Sequence, residues 1–293
     1  MGLEELFFGD ILKSIRINRG FTLERLSEGI CTSEELENFE KEIQYPTIDQ
    51  LFKISQKLKV NLSNFFDFGN TSSFRYDIAV MELVKKFKYE RDYKSIMEVV
   101  EKEKKNPLFK HSSYKQFLLW HEGICKYYLE NLKEESIKLL KEAIDLSNPN
   151  QNNFTEREIE IFTSLAIIEK DSGNFQIATS LLLEALNHTD NLPHLLDPRV
   201  KLRILYALAQ VLTKQEKYLD SLEYCQIGIS HCINSQDMLL FPDFHYQKGE
   251  NLIKLGDIIE GEKYLKDAIY IFKLQKNDKF AKLVELEMEK LIS

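Results

Sequence analysis

Small residues recur through the second half of this chain at a spacing that few folds tolerate. Ser136, Ala178, Ser221 and Gly261 stand 42, 43 and 40 positions apart, and each is followed seven residues later by another: Ala143, Ala185, Gly228 and Ala268. Ala166, Ala209 and Gly249 lie twelve positions before three of them. Such triples let the two helices of a hairpin approach closely and let the next hairpin stack on them, so the spacing predicts a row of helical hairpins, each contacting its neighbours. Phe175, Tyr218 and Ile258 fill the apolar slot three residues ahead of Ala178, Ser221 and Gly261, and Gly173 and Gly256 serve turns inside hairpins. Five units read as 75–106, 112–147, 155–188, 198–233 and 240–274, with a closing helix at 278–292. The first is irregular, anchored by Met81, Val84, Phe87 and Tyr93.

Ahead of the repeats, cap residues predict short helices. Leu6, Ile11, Leu12 and Ile15 have helical spacing in a first helix that Gly20 stops. Thr22 caps a second helix through Ile30 carrying Leu23, Leu26 and Ile30, with Gly29 in the turn. Thr32 with Glu35, and Thr47 with Gln50, form capping boxes for a third helix with Leu36 and Phe39 inward and a fourth with Leu51, Ile54, Ser55 and Leu58. Asn61 starts a fifth with Leu62, Phe65 and Phe66. The chain therefore reads as all-α: a five-helix module at 1–66, a polar linker at 67–74, and the repeat domain at 75–293.

The net charge of −8 argues against a surface that binds nucleic acid all over, but not against one small DNA-reading module. Residues 1–66 hold 8 Lys/Arg and 11 Asp/Glu, net −3, leaving 31 against 36, net −5, for the rest. Glu4 and Glu5 replace the basic start of a signal peptide, and no apolar run approaches the roughly 20 residues that span a bilayer, so the cytoplasm is expected. Cys31, Cys125, Cys225 and Cys232 are scattered and read as buried thiols. Cys31 lies beside a helix cap that could lower its pKa, which leaves a redox role open. No phosphate-cradling glycine loop is present. His121-Glu122-Gly123-Ile124-Cys125 imitates H-E-x-x-H, but cysteine replaces the second histidine. No enzyme, metal or cofactor is expected.

The N-terminal pattern resembles the XRE family of Cro/C1-type helix-turn-helix domains, on Arg16 near the end of helix one, Gly20-Phe21-Thr22 and Leu26-Ser27 in the turn, Glu40 closing helix three and Tyr45-Pro46-Thr47 opening helix four. The small triples resemble tetratricopeptide repeats, their period lengthened beyond about 34 by the links SNPNQNN and HTDNLPHLLDP. A HEAT-type array is the alternative that this spacing disfavours. Together with Phe117-Leu118-x-Trp120, Lys217-Tyr218-x-x-Ser221-Leu222 and Tyr246-Gln247-x-Gly249-Glu250, most of the chain resembles the RNPP quorum-sensing regulators. The resemblance implies a homodimer, heads reading a pseudo-palindromic double-stranded DNA operator, and a short secreted and re-imported oligopeptide as effector. It also implies that Arg16 and Glu40 form an internal ion pair. A competing class is the Rap-type adaptor, which binds a response regulator and not DNA. Rap-type proteins lack the landmarks running from Arg16 to Thr47.

The expected reading helix carries Ser33, Glu34, Glu35, Glu37 and Asn38 and no cation. Leu23 stands where the family often has a phosphate-reaching glutamine. A glutamate accepts a hydrogen bond from cytosine N4, while phosphates repel it, so affinity must come from Lys13, Arg19, Arg25 and Lys41, with the cap residues Thr22 and Thr32 beside them. Such an acidic helix also fits a head that has turned to binding protein. In the repeats the first helix of each hairpin lines the groove, giving Glu160, Thr163 and Ile167, then Arg203, Tyr206 and Gln210, then Tyr246 and Glu250. Lys85, Lys86 and Lys88 would pair with a peptide carboxylate. The asparagines by which the family clamps a peptide backbone are absent, with Thr163 and Ala207 in their place.

Overall fold

Three threonines set the order of the N-terminal unit. In the computed structural model Thr22 accepts from the Arg25 amide, and Thr32 with Glu35 and Thr47 with Gln50 close complete capping boxes. Each satisfies amides that the first helical turn would otherwise leave unpaired. The structure describes residues 8–62, 65 and 72–292, and all of their side chains except those of 72–75 and 108. Helices α1 (Phe8–Asn18), α2 (Leu23–Ser27), α3 (Ser33–Glu40) and α4 (Ile48–Leu58) enclose a core of Ile11, Leu12, Leu26, Leu36, Phe39, Leu51, Ile54, Leu58 and Phe65. Leu6 and Phe66 lie outside the described residues, as does most of the expected fifth helix, although Phe65 is buried at 1% exposure.

Helix α2 ends three residues before the sequence expectation. Glu28 takes ψ 120°, Gly29 takes φ 76°, and the Ile30 amide donates to the Ser27 carbonyl at 2.9 Å. This is a type II turn, whose third position requires the positive φ that glycine adopts without cost.

Helix α5 (Ser72–Glu90) belongs to the first of two compact units, Met1–Arg91, and the second is Asp92–Ser293. Of the linker expected at 67–74, residues 67–71 lie outside the described residues.

The second unit opens with α6 (Tyr93–Glu103) and a 3-10 turn, Pro107–Lys110. Four hairpins follow: α7 (Ser112–Glu130) with α8 (Lys133–Asp145), α9 (Glu156–Asp171) with α10 (Phe175–Asp190), α11 (Arg199–Lys214) with α12 (Tyr218–Ser235), and α13 (Phe241–Lys254) with α14 (Ile258–Leu274). Helix α15 (Asp278–Ile292) closes the row. Among the described residues every regular element is helical.

All of the small positions read from the sequence are buried, and the glycines show why they must be small. A Cβ on Gly249 or Gly261 would sit 2.8 Å from the other's carbonyl oxygen, and one on Gly228 would sit 2.3 Å from the Phe244 ring. In the first hairpin the close approach falls at Gly123, one position earlier than the repeat spacing gives, where a Cβ would meet the Ser136 carbonyl at 3.1 Å. The first helices α7, α9, α11 and α13 and the closing α15 touch in succession, and α8, α10, α12 and α14 each pack against the two helices that flank them in the chain. Buried Trp120 ties α7 to α9 through Nε1, which donates to the Ser164 hydroxyl at 2.9 Å.

Candidate functional site

Two regions carry the residues expected to act, one in each unit. In the head, Arg16 on α1 forks onto Glu40 at the end of α3, Nε to Oε1 at 2.5 Å and Nη2 to Oε2 at 2.8 Å, while Nη1 donates to the Phe21 carbonyl at 3.0 Å. The two side chains are 11% and 5% exposed. The hydrogen bonds that Arg16 donates to Glu40 raise its pKa further, against the burial that opposes it. One guanidinium thus fixes α1, the turn into α2 and the end of α3 together.

Around that joint the polar groups of α3 are mostly engaged. The Glu35 carboxylate accepts from the Thr32 amide at 2.8 Å, the Ser33 hydroxyl lies 3.1 Å from that of Ser27, and Glu37 takes Lys41 at 2.5 Å. Glu34 is exposed and Asn38 half-buried. Lys13, Arg19, Arg25 and Lys41 are exposed, and the Arg25 guanidinium rests 5.2 Å from the centroid of the Phe21 ring. Leu23 packs half-buried against the core, which accounts for an apolar residue at that position.

Contacts that the sequence reading missed are those made through backbone. The Gly9 amide donates to Glu42 Oε1 at 3.0 Å, and a Cβ at Gly9 would lie 2.4 Å from the Glu40 carbonyl oxygen. Lys57 reaches the Glu28 carbonyl at 2.8 Å and so holds the end of α2. The Cys31 thiol is pushed up, by burial first and by Glu35 second, the reverse of what its place beside a helix cap suggested. Burial holds Cys125, Cys225 and Cys232 at about 12.

In the second unit a groove pocket of about 620 Å³ opens between α9, α11 and α13. Gln210, Tyr246 and Glu250, three of the residues expected there, line it together. Arg203 and Glu160 form an ion pair across α11 and α9. Burial raises the Tyr206 hydroxyl, as does Asp243. Thr163 is 4% exposed and its hydroxyl donates to the Ile159 carbonyl of its own helix, while Ile167 is half-buried. Lys85, Lys86 and Lys88 lie on α5 in the first unit, where Lys85 pairs with Glu82 and Lys86 with Glu90.

The pocket is completed by residues that the groove periodicity did not single out, among them Lys170, Asp171, Thr213, Lys214, Gln247 and Glu287. Lys170 Nζ donates to Gln210 Oε1 at 2.7 Å and lies 3.2 Å from Asp171. Behind this surface runs a buried chain. Gln247 donates to Glu250 at 2.8 Å and to the Thr213 hydroxyl at 2.9 Å. Thr213 donates to Asn251 at 2.8 Å, Asn251 to Ser221 at 2.7 Å, and Ser221 to the Ala209 carbonyl at 2.7 Å. A signal for the lysines was available: Lys170, Lys214 and Lys254 stand 44 and 40 positions apart, each in the last turn of its helix.

Among the described residues no cluster of side chains suits a metal, and His121 is buried with Nδ1 2.8 Å from the Phe117 carbonyl. No described helix is long and apolar enough to cross a membrane.

A helix-turn-helix head carried by an array of tetratricopeptide-like hairpins with a polar groove defines a class of ligand-responsive regulators. The RNPP family C-terminal domain matches residues 81–291, and the chain belongs to that family. The structure is similar to that of PlcR of Bacillus thuringiensis in complex with the peptide PapR7 and DNA, with 25% identity, 95% of this chain and 99% of that chain covered, and a TM-score of 0.81. It shares its fold with the SHP pheromone receptor Rgg2 of Streptococcus dysgalactiae (13% identity, 97% and 99% covered, TM-score 0.68). It also shares it with ComR of S. thermophilus in complex with DNA and its signalling peptide ComS (16% identity, 98% and 100% covered, TM-score 0.64). No curated protein matches the sequence.

Proposed function

We propose that this protein is a cytoplasmic, homodimeric transcriptional regulator whose helix-turn-helix head, residues 1–66, binds a pseudo-palindromic operator, and whose repeat domain, residues 75–293, binds a short oligopeptide in its groove. The observation that carries this reading is the match along 95% of the chain to a regulator solved with both a peptide and DNA. The head supports it, since the Arg16–Glu40 fork makes a rigid support for α3. The groove supports it too, since Gln210, Tyr246 and Glu250 meet at one pocket whose volume is that of a ligand-binding cleft.

The mechanism is a population shift. A peptide that binds one arrangement of the hairpins better than another raises its share, and the spacing of two heads over half-sites one helical turn or a multiple apart follows. Specific recognition falls to α3, with Glu34 on a cytosine and Asn38 beside it, and phosphate contacts fall to Lys13, Arg19, Arg25 and Lys41. Four cations per head and two heads give eight phosphate contacts at most, so log K should fall with log salt at a slope of about −7.

Footprinting of the purified protein on its own upstream region, at low salt and with and without synthetic peptides encoded beside it, tests the proposal. Expected is one protected pseudo-palindrome whose occupancy changes with peptide. Absence of any specifically bound fragment in either condition sinks it.

A further inference from the structure

We infer that the pocket between α9, α11 and α13 is a carboxylate subsite, in which Lys170 and Lys214 hold an acidic side chain or the C-terminal carboxylate of the effector. This rests on the peptide-groove reading and adds the chemistry of the ligand to it. Three carboxylates line the pocket, and each already has a cation: Asp171 has Lys170 at 3.2 Å, Glu250 has Lys254 at 2.7 Å, and Glu287 has Lys290 at 2.8 Å. Asp171 also accepts from the Tyr128 hydroxyl at 2.6 Å. Lys214 lines the same pocket and has no carboxylate partner among the described residues. The lining itself holds two lysines against three carboxylates, and once Lys254 and Lys290, which pair with Glu250 and Glu287 from outside it, are counted, Lys214 is the one charge left without a counter-ion among the described residues.

A lysine in the last turn of a helix has an ordinary explanation, its attraction to the helix dipole. Lys170 goes beyond that. Its side chain is only 15% exposed, and its ammonium is drawn across to Gln210 on the neighbouring helix at 2.7 Å. Gln210 takes one of its three N–H donors and Asp171 stands at ion-pair distance, so the ammonium keeps donor capacity for a ligand oxygen. A cationic ligand would have to displace one of the three existing pairs, whereas a carboxylate completes the shell that is short of an anion. Partial burial strengthens the contact, because a charge-assisted hydrogen bond in a half-dry groove competes less with water.

The test uses pools of randomised synthetic heptapeptides, one pool with free and one with amidated C-termini, retained by the purified full-length protein and read by mass spectrometry. Expected is enrichment of Asp and Glu at one position, or dependence on the free C-terminus, and the two pools distinguish these sources. Lys214→Gln should reduce the preference about tenfold, as fits one lost ionic hydrogen bond. Lys214 is exposed, so this variant keeps the fold, and Lys170→Gln serves as a second variant once its thermal unfolding matches the wild type. Retention of peptides without acidic preference, or a preference unchanged in Lys214→Gln, overturns the subsite and leaves the peptide-groove reading standing. Retention of no peptide from either pool overturns both.

Discussion

Glu40→Ala is the most informative change to make in the head. It leaves the Arg16 guanidinium, 11% exposed, with only the Phe21 carbonyl for a partner. Stranding one member of a buried pair costs about 3–5 kcal/mol. At the usual 0.05–0.15 kcal/mol per residue, a head of roughly 60 residues has only about 3–9 kcal/mol in total. The variant should therefore lose most of the head's stability. The double variant Arg16→Met with Glu40→Leu should recover nearly all of it, because two charges no longer need to leave water. What stays lost is the bond to the Phe21 carbonyl, about 1 kcal/mol. Hydrogen exchange of the Leu12 and Leu36 amides in the full-length protein reads the local opening free energy, and operator binding should follow the same order. Arg16→Met and Glu40→Leu alone each costing under about 1 kcal/mol, with the double variant equal to their sum, would refute the account of this pair as the joint of the head.

Three further outcomes are expected. Gly228→Ala drives a Cβ to 2.3 Å from the Phe244 ring in the core and should cost about 1–3 kcal/mol in thermal unfolding, whereas Ala178→Gly, equally buried but without a clash to relieve, should cost about 1 kcal/mol. Asn251→Leu removes both a donor to Ser221 and an acceptor for Thr213 at a site with no solvent exposure, so a loss of about 2–4 kcal/mol is expected in denaturant titration, with an unchanged slope. Burial depresses the His245 pKa below 6.5, so the unfolded chain takes up the proton more readily. Melting temperature should be flat above pH 6.5 and fall as pH drops from there toward the folded-state pKa, a dependence that His245→Gln should weaken.

The fold was legible because its determinants are local. Thr22, Thr32 and Thr47 are read as caps from single residues three positions away from their partners, and the small triples encode contact between helices adjacent in the chain. Where the reading slipped, the cause was geometry that spacing does not carry. Asn131 at φ 57° ends α7 in place of a glycine, and the close approach moves to Gly123. The groove was legible in part. Counting by four along α9, α11 and α13 finds Gln210, Tyr246 and Glu250, but it passes over Lys170 and Lys214, whose long stems reach the pocket from the ends of their helices. Gly9 with Glu42 had no signal at all, since it joins a backbone amide to a carboxylate 33 positions away.

The acidity of α3 looked like an argument against DNA, and the structure changes its weight. Four glutamates stand on or at the end of this helix: Glu34, Glu35, Glu37 and Glu40. Glu35 caps the first turn, Glu37 is bound to Lys41 and Glu40 to Arg16. Carboxylates bound to amides near the positive end of a helix, or forked onto a guanidinium, project much less negative field than free ones. That leaves Glu34 as the one exposed acid of the four without such a partner, and a single carboxylate is what recognition of a cytosine amino group needs. In the proposed binding mode the phosphate contacts fall to side chains on the flanks of α3, so affinity and specificity would rest on different elements of the head. On that reading one head would bind weakly alone, and the proposed pairing of two heads and a groove that sets their spacing belong to one mechanism.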